Sequence, residues 1–207
     1  QGVSSAASDV YKRQTQMRSF VNPIESLAGD EAIFVYPDAA IYGRVRYLDR
    51  SPNGVDVAMF DGLLQSLSQT YCIDTGRVFA IGFSDGGFFT NALAQARPHN
   101  VRGIVPIAGG GGGGASVAAM VVHSRDDSNV GFGYGLGSVQ QWSAANGCRS
   151  EDYTRLPMHQ CRALADFKER YPVYFCQWGR TMPNQGTHDW PRFASANQDI
   201  WDFIKSL

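Results

Sequence analysis

The stretch RVFAIGFSDGGFFTNALAQA, residues 77–96, changes character in its middle. Arg77-Val78-Phe79-Ala80-Ile81 is apolar after its first residue, the pattern of a strand buried on both faces. It runs straight into Gly82. Residues 86–96 then read as a helix that ends before Pro98. A strand that turns at once into a helix opens a β-α unit, and Ser84 lies on the turn between them. Working outward, Val101 to Ala108, Ser116 to His123 and Val173 to Cys176 are further apolar runs of strand length. Upstream, Ala32 to Tyr36 is another, stopped by Pro37-Asp38. Between them fall helical patterns. Val57, Phe60, Leu64, Leu67 and Tyr71 step by three and four, with Asp56 placed to cap them. Ser138 to Asn146 is short, and Phe193, Ala196, Ile200, Ile204 and Leu207 mark a C-terminal helix. Residues 39–54 read as loop, with a turn at Ser51-Pro52-Asn53-Gly54. Such alternation predicts a mostly parallel sheet covered by helices on both faces, a three-layer α/β sandwich.

Composition agrees with one such domain. The chain has 207 residues, 43% apolar and 18% charged, with 18 Lys+Arg against 19 Asp+Glu for a net charge of −1. That is a globular balance, not a disordered one. Without a basic block, neither a nucleic-acid partner nor docking on an anionic membrane is expected. No apolar run approaches the roughly 18 residues of a spanning helix. A monomer without cofactor is expected. Cys72, Cys148, Cys161 and Cys176 lack C-x-x-C and metal-type spacing. Three of them, Cys148, Cys161 and Cys176, cluster in a polar, turn-rich region, which fits disulfides of an exported protein, in a pairing the spacing leaves open.

Residues 1–14, QGVSSAASDVYKRQ, have no helical or strand periodicity and no apolar core of a secretory leader. They look like a translated adapter fragment of the kind that recurs in metagenomic assemblies. A non-native or disordered leader is therefore expected over 1–14, and a single domain over 15–207.

Chemistry concentrates at Gly82-Phe83-Ser84-Asp85-Gly86. In a chain with 23 glycines the bare G-x-S-x-G pattern arises by chance roughly 0.2 times, so context must carry it. The strand before and helix after match a nucleophile elbow, which forces the serine into a strained conformation and lifts its hydroxyl above the sheet. The Asp85 backbone N–H, at the helix N-terminus, is placed to stabilise an oxyanion. Serine needs a base, and the base an acid. In this architecture both follow the serine, each after a later strand, the acid first and the histidine second. After the strand ending at His123 come Asp126 and Asp127; after the strand ending at Cys176 comes His188. His123 reads as buried and hydrogen-bonded, His99 and His159 as loop residues, and Asp189 as a supporting or surface carboxylate. The run Gly109 to Gly114 precedes a strand and lacks Lys-Ser/Thr, so it reads as a loop beside the site, not a phosphate cradle. His123, Asp126, Asp127 and His188 match no standard metal ligand set. Trp178, Trp190, Phe132 and Tyr134 fall at the sheet edge where α/β ligand sites form. Trp190, Trp178 and Tyr134 are candidates to bind substrate, or else cover core.

YPDA (36–39), YCIDTGRVFAIGFSDGGFFTNAL (71–93), VPIAGG (105–110), Trp142 with Asn146-Gly147-Cys148, and GTHDWP (186–191) together resemble the polyhydroxybutyrate depolymerase and feruloyl esterase group. Those are exported α/β-hydrolases of carbohydrate esterase family one. The resemblance implies Ser84 as nucleophile and His188 as base. It selects Asp127 as acid, because in relatives the acid stands four residues after a strand-ending histidine. It implies a secreted serine esterase acting on polysaccharide- or polyester-linked esters. Feruloyl esters are the leading expectation, with hydroxyalkanoate or acetyl-xylan esters as the alternative and a non-catalytic binding domain as the contrasting class. There are departures: Ser124 replaces the glycine expected after the histidine, and Arg180 to Gln185 lengthen the loop before His188. The relatives' N-terminal strands and second oxyanion donor have no recognisable counterpart before residue 32, so both are expected to be missing.

Overall fold

The computed structural model describes residues 2–7, 14–38, 41–42, 45–179 and 188–207. In chain order the elements are β1 (Gly2–Ala7), α1 (Gln14–Ala28), β2 (Ala32–Val35), β3 (Ile41–Tyr42), β4 (Val45–Arg46), α2 (Val55–Thr70), β5 (Val78–Phe83), α3 (Asp85–Ala96), β6 (Gly103–Ile107), β7 (Ala118–Ser124), α4 (Phe132–Asn146), β8 (Gln160–Ala163), β9 (Val173–Trp178) and α5 (Ala196–Lys205). Seven strands form one sheet in the order β2-β1-β5-β6-β7-β9-β8, while β3 and β4 make a separate antiparallel pair. Every neighbouring pair in the large sheet is parallel except β8 with β9.

The apolar runs are continuous because alternate side chains enter two different cores. Val78 and Ala80 of β5 join Ile104, Val121 and Phe175 under α2, α3 and α4, where Phe60, Leu93 and Trp142 pack. Phe79, Ile81 and Phe83 point the other way, with Val105, Met120 and Val122, against Met17 and Ile24 of α1 and Ile200 and Trp201 of α5. Ile81, Ile104 and Phe175 are wholly buried, each worth about 1.5–3 kcal/mol relative to exposure. This is the three-layer α/β sandwich expected.

Residues 2–7, within the segment expected to be a non-native or disordered leader, form the strand β1, inserted between β2 and β5. Ser4 is in register with Phe34 on one side and Phe79 on the other. Its small residues show no apolar alternation because backbone hydrogen bonds to two neighbours define it. Residues 14–28, where the sequence pattern announces no element, form the helix α1. Met17, Val21, Ile24 and Ala28, spaced four, three and four, are its buried face. Pro23 masks that pattern, yet it sits on the exposed side, where its missing donor is tolerated.

Smaller corrections follow the same logic. Asp56 does not cap α2; Gly54 precedes the helix, and Asp56 is buried in its first turn, accepting the Asp49 N–H at 2.7 Å. The helix α4 begins at Phe132, not Ser138, through a glycine-rich turn. The polar edge strand β8 has no apolar signature. It pairs antiparallel with β9, and Cys161 and Cys176, directly opposite, form a disulfide with Cα atoms 4.1 Å apart. Cys72 and Cys148 are free thiols.

Candidate active site

The strand β5 ends on Phe83, and α3 begins at Asp85, so Ser84 alone makes the turn. Its φ of 57° and ψ of −118° lie outside the ordinary regions for a side-chain-bearing residue, a strain of order 1–3 kcal/mol that surrounding structure must hold. The Ser84 N–H donates to Ile107 O of β6 at 2.9 Å, and Ser84 O accepts the N–H groups of Gly87 and Phe88 at 2.9 and 3.1 Å. A Cβ on Gly82 would lie 2.1 Å from Gly86 O, so the tight return of α3 over its own strand requires glycine there.

The acid candidate follows β7. Burial pushes the Asp127 carboxyl up, but hydrogen bonds from His188 and from the Val130 and Asn129 N–H groups outweigh it, leaving the group below its ordinary value. Those amides donate to Oδ1 at 2.8 and 2.9 Å. His188 Nδ1 stands 2.8 Å from Oδ2 and 3.0 Å from Oδ1 of Asp127, and His188 Nε2 stands 2.9 Å from Ser84 Oγ. The carboxylate only accepts, so Nδ1 carries the proton and Nε2 is left as acceptor for the serine hydroxyl. Phe83 backs the imidazole, with ring centroids 4.9 Å apart. The structure thus joins Ser84, His188 and Asp127 in one hydrogen-bonded chain. Asp126 is exposed, with its carboxylate beside Gly179.

His123 is wholly buried, as expected, and its Nε2–H donates to Val130 O at 2.8 Å. That bond closes the loop bearing Asp127. Burial holds the imidazole below its ordinary value of 6.5, against the opposing pull of Val130 O and Asp127. Gly135 of α4 lies against the ring; a Cβ there would meet it at 2.6 Å.

Of the aromatic candidates, two lie in the core. Trp178 and Trp190 are 4% and 5% exposed and belong to the core under α1 and α5. Trp190 stacks on Phe20 and donates to Asn197 Oδ1 at 3.0 Å. Tyr134 is 56% exposed and meets Phe88 edge-on, so it remains at the surface above α3. Asp189 accepts the Trp190 N–H and pairs with Arg192.

The glycine run 109–114 joins β6 to β7 and is pinned. Asn91 donates to Gly110 O and Gly87 O at 3.1 and 3.2 Å and accepts from Trp142 Nε1 at 2.8 Å. Among the described residues no group of three His, Cys, Asp or Glu is arranged to hold a metal. The lengthened loop 180–185 lies outside the described residues. So do residues 8–13.

Sequence reasoning missed the residues around Asp85. Its side chain, only 8% exposed, accepts the Leu48 N–H at 2.9 Å and forms an ion pair with Arg50. No motif spans the intervening residues.

The mostly parallel sheet, the helices on both faces and the elbow at the end of β5 define the α/β-hydrolase fold. No family model matches the chain. It is 35% identical over 123 residues to feruloyl esterase D of Neurospora crassa, covering 57% of this chain and 41% of that protein. With feruloyl esterase C of Emericella nidulans it shares 31% over 134 residues, 62% of this chain and 48% of the relative. The chain therefore spans less than half the length of either. Acetyl xylan esterase from Aspergillus awamori superposes with a TM-score of 0.68 at 13% identity, over 98% of this chain and 89% of that one. The resemblance to the feruloyl esterase group, expected from the motifs, is borne out by these relatives, and the α/β-hydrolase fold by the superposition.

Proposed function

We propose that this chain is a serine carboxylic-ester hydrolase that works through an acyl-enzyme on Ser84. The observation that carries the reading is the hydrogen-bonded series Ser84 Oγ, His188 Nε2, His188 Nδ1, Asp127 on a strained strand-to-helix turn. His188 accepts the serine proton as Oγ bonds to the ester carbonyl carbon, and the carbonyl oxygen becomes an oxyanion that accepts the Asp85 N–H. The C–O bond to the alcohol breaks, and the alcohol leaves with the proton from His188. Water then repeats the sequence in reverse roles, releasing the acid and Ser84. Asp127 keeps His188 in the needed tautomer and stabilises the imidazolium without taking its proton.

The substrate class is a feruloyl-type ester of plant polysaccharide, supported by the names of the matched relatives. An exported location is supported by the Cys161–Cys176 disulfide. The test is covalent labelling with a fluorophosphonate, followed by rates on methyl ferulate, acetylated xylan and hydroxybutyrate oligomers. Labelling of wild type and not of Ser84→Ala is expected, with methyl ferulate turned over fastest. A folded wild type that takes no label overturns the reading, and a preference for either other ester replaces the substrate class.

A further inference from the structure

We infer that Arg50 is a positioning and charge-balancing residue for the ester chemistry at Ser84, acting through Asp85; the inference rests on the function proposed above. Asp85 supplies the backbone N–H assigned to the oxyanion, yet it also carries a buried carboxylate three covalent bonds from that nitrogen. Covalent geometry keeps this charge within about 6 Å of any oxyanion the N–H holds. An unbalanced carboxylate there opposes the charge developing on the carbonyl oxygen. At an effective dielectric of about 20 the opposition is worth roughly ten- to a hundredfold in rate.

The surroundings of Asp85 remove that penalty. Its Oδ1 pairs with Arg50 Nη2, and its Oδ2 accepts the Leu48 N–H. The Arg50 guanidinium also lies over the Phe88 ring, 4.5 Å from its centroid, one turn further along α3. Arg50 is thus held at two points of the helix that Ser84 opens. Its backbone is placed with equal care. Leu48 N–H goes to Asp85 and Asp49 N–H to Asp56, a residue 1% exposed in the first turn of α2. Two buried carboxylates from two helices clamp adjacent amides and so direct where Arg50 emerges. Arg50 stays 45% exposed at the rim of a surface cavity also lined by Tyr47, Leu48, Ser51 and Asp85.

The test is a double-mutant cycle on kcat and KM with methyl ferulate and p-nitrophenyl acetate, using R50M, D85N and R50M/D85N, with R50K as the conservative variant. R50M is expected to lower kcat by about ten- to a hundredfold with KM within about threefold. R50K restores most of it. D85N, which keeps an acceptor for Leu48 but no charge, is the reference for the double variant, and adding R50M in that background costs less than about threefold. If R50M does not fold, R50Q serves the same comparison. Additive losses in the double variant, an unchanged kcat in R50M, or a rise confined to KM overturn the inference while leaving the esterase reading intact. A wild type inert to both esters and unlabelled by fluorophosphonate overturns the two together.

Discussion

Two buried carboxylates stand on either side of Ser84, and their partners differ in kind. Asp127, after β7, accepts from two backbone amides and from His188, which carries no lasting charge. Asp85, opening α3, accepts from one amide and from Arg50, a permanent cation. The contrast fits what each would face in the proposed turnover. There a cation would form on the imidazole, and a carboxylate left without a counter-charge would stabilise it. An anion would form beside the Asp85 N–H, and a carboxylate there would have to be balanced beforehand. Identical side chains are set to opposite electrostatic tasks by whether their neighbour's charge is transient or fixed.

Breaking the Asp127 side should have the largest effect. Asp127→Asn is expected to lower kcat by about 10³–10⁴-fold, measured on a soluble feruloyl ester, because the amide favours the wrong histidine tautomer. Asp126→Asn, one residue away and exposed, should leave kcat within about twofold. Equal losses in the two variants would mean that the acid is shared or misassigned. On the other side, the cycle between Arg50 and Asp85 should show a smaller loss, one that nearly vanishes in the D85N background.

The scaffold behind Asp127 sharpens the contrast through stability. Gly135→Ala places a Cβ 2.6 Å from the His123 ring. It should cost about 1–3 kcal/mol by overpacking, read as a lowered Tm. His123 should also make the fold acid-sensitive. Its folded value lies below the ordinary 6.5, so below that pH the unfolded chain binds a proton that the folded chain refuses. Its contribution is therefore complete above about pH 6.5 and is lost as pH falls through the folded value. Asp127, also depressed, adds a second loss at lower pH, below the ordinary carboxylate range. Tm measured from pH 8 to 4 should fall in the upper of these windows for wild type and be flatter there for His123→Gln. A parallel fall in both proteins would place the acid sensitivity elsewhere.

Much of this was legible beforehand, and the reason is local. Val78 to Phe83, Ile104 to Ile107 and Ala118 to Val122 are apolar at every step because each faces two cores, and such runs announce buried parallel strands without their neighbours. Ser84, His188 and the Asp126–Asp127 pair were recognisable because each directly follows a strand end or lies in a short motif. The helix α1 was legible in principle from Met17, Val21, Ile24 and Ala28, but Pro23 interrupts the pattern. The strands β1 and β8 had no such signal. One is made of small residues and the other is polar, and hydrogen bonds to residues far along the chain define both.

What the amino-acid order determined by itself is the alternation of strands and helices, the strained turn at Ser84 and the order of serine, acid and histidine. Periodicity and chain order are properties of neighbouring residues, and burial merely ratifies them. Only the tertiary structure decided that Asp127 and not Asp126 meets His188, and that the two tryptophans serve the core. It alone brought Arg50 and Leu48 to Asp85, some 35 residues away. Those outcomes depend on which backbone amides and charges converge after the sheet has closed. Electrostatic balance at a site is a property of that convergence, and no local pattern encodes it.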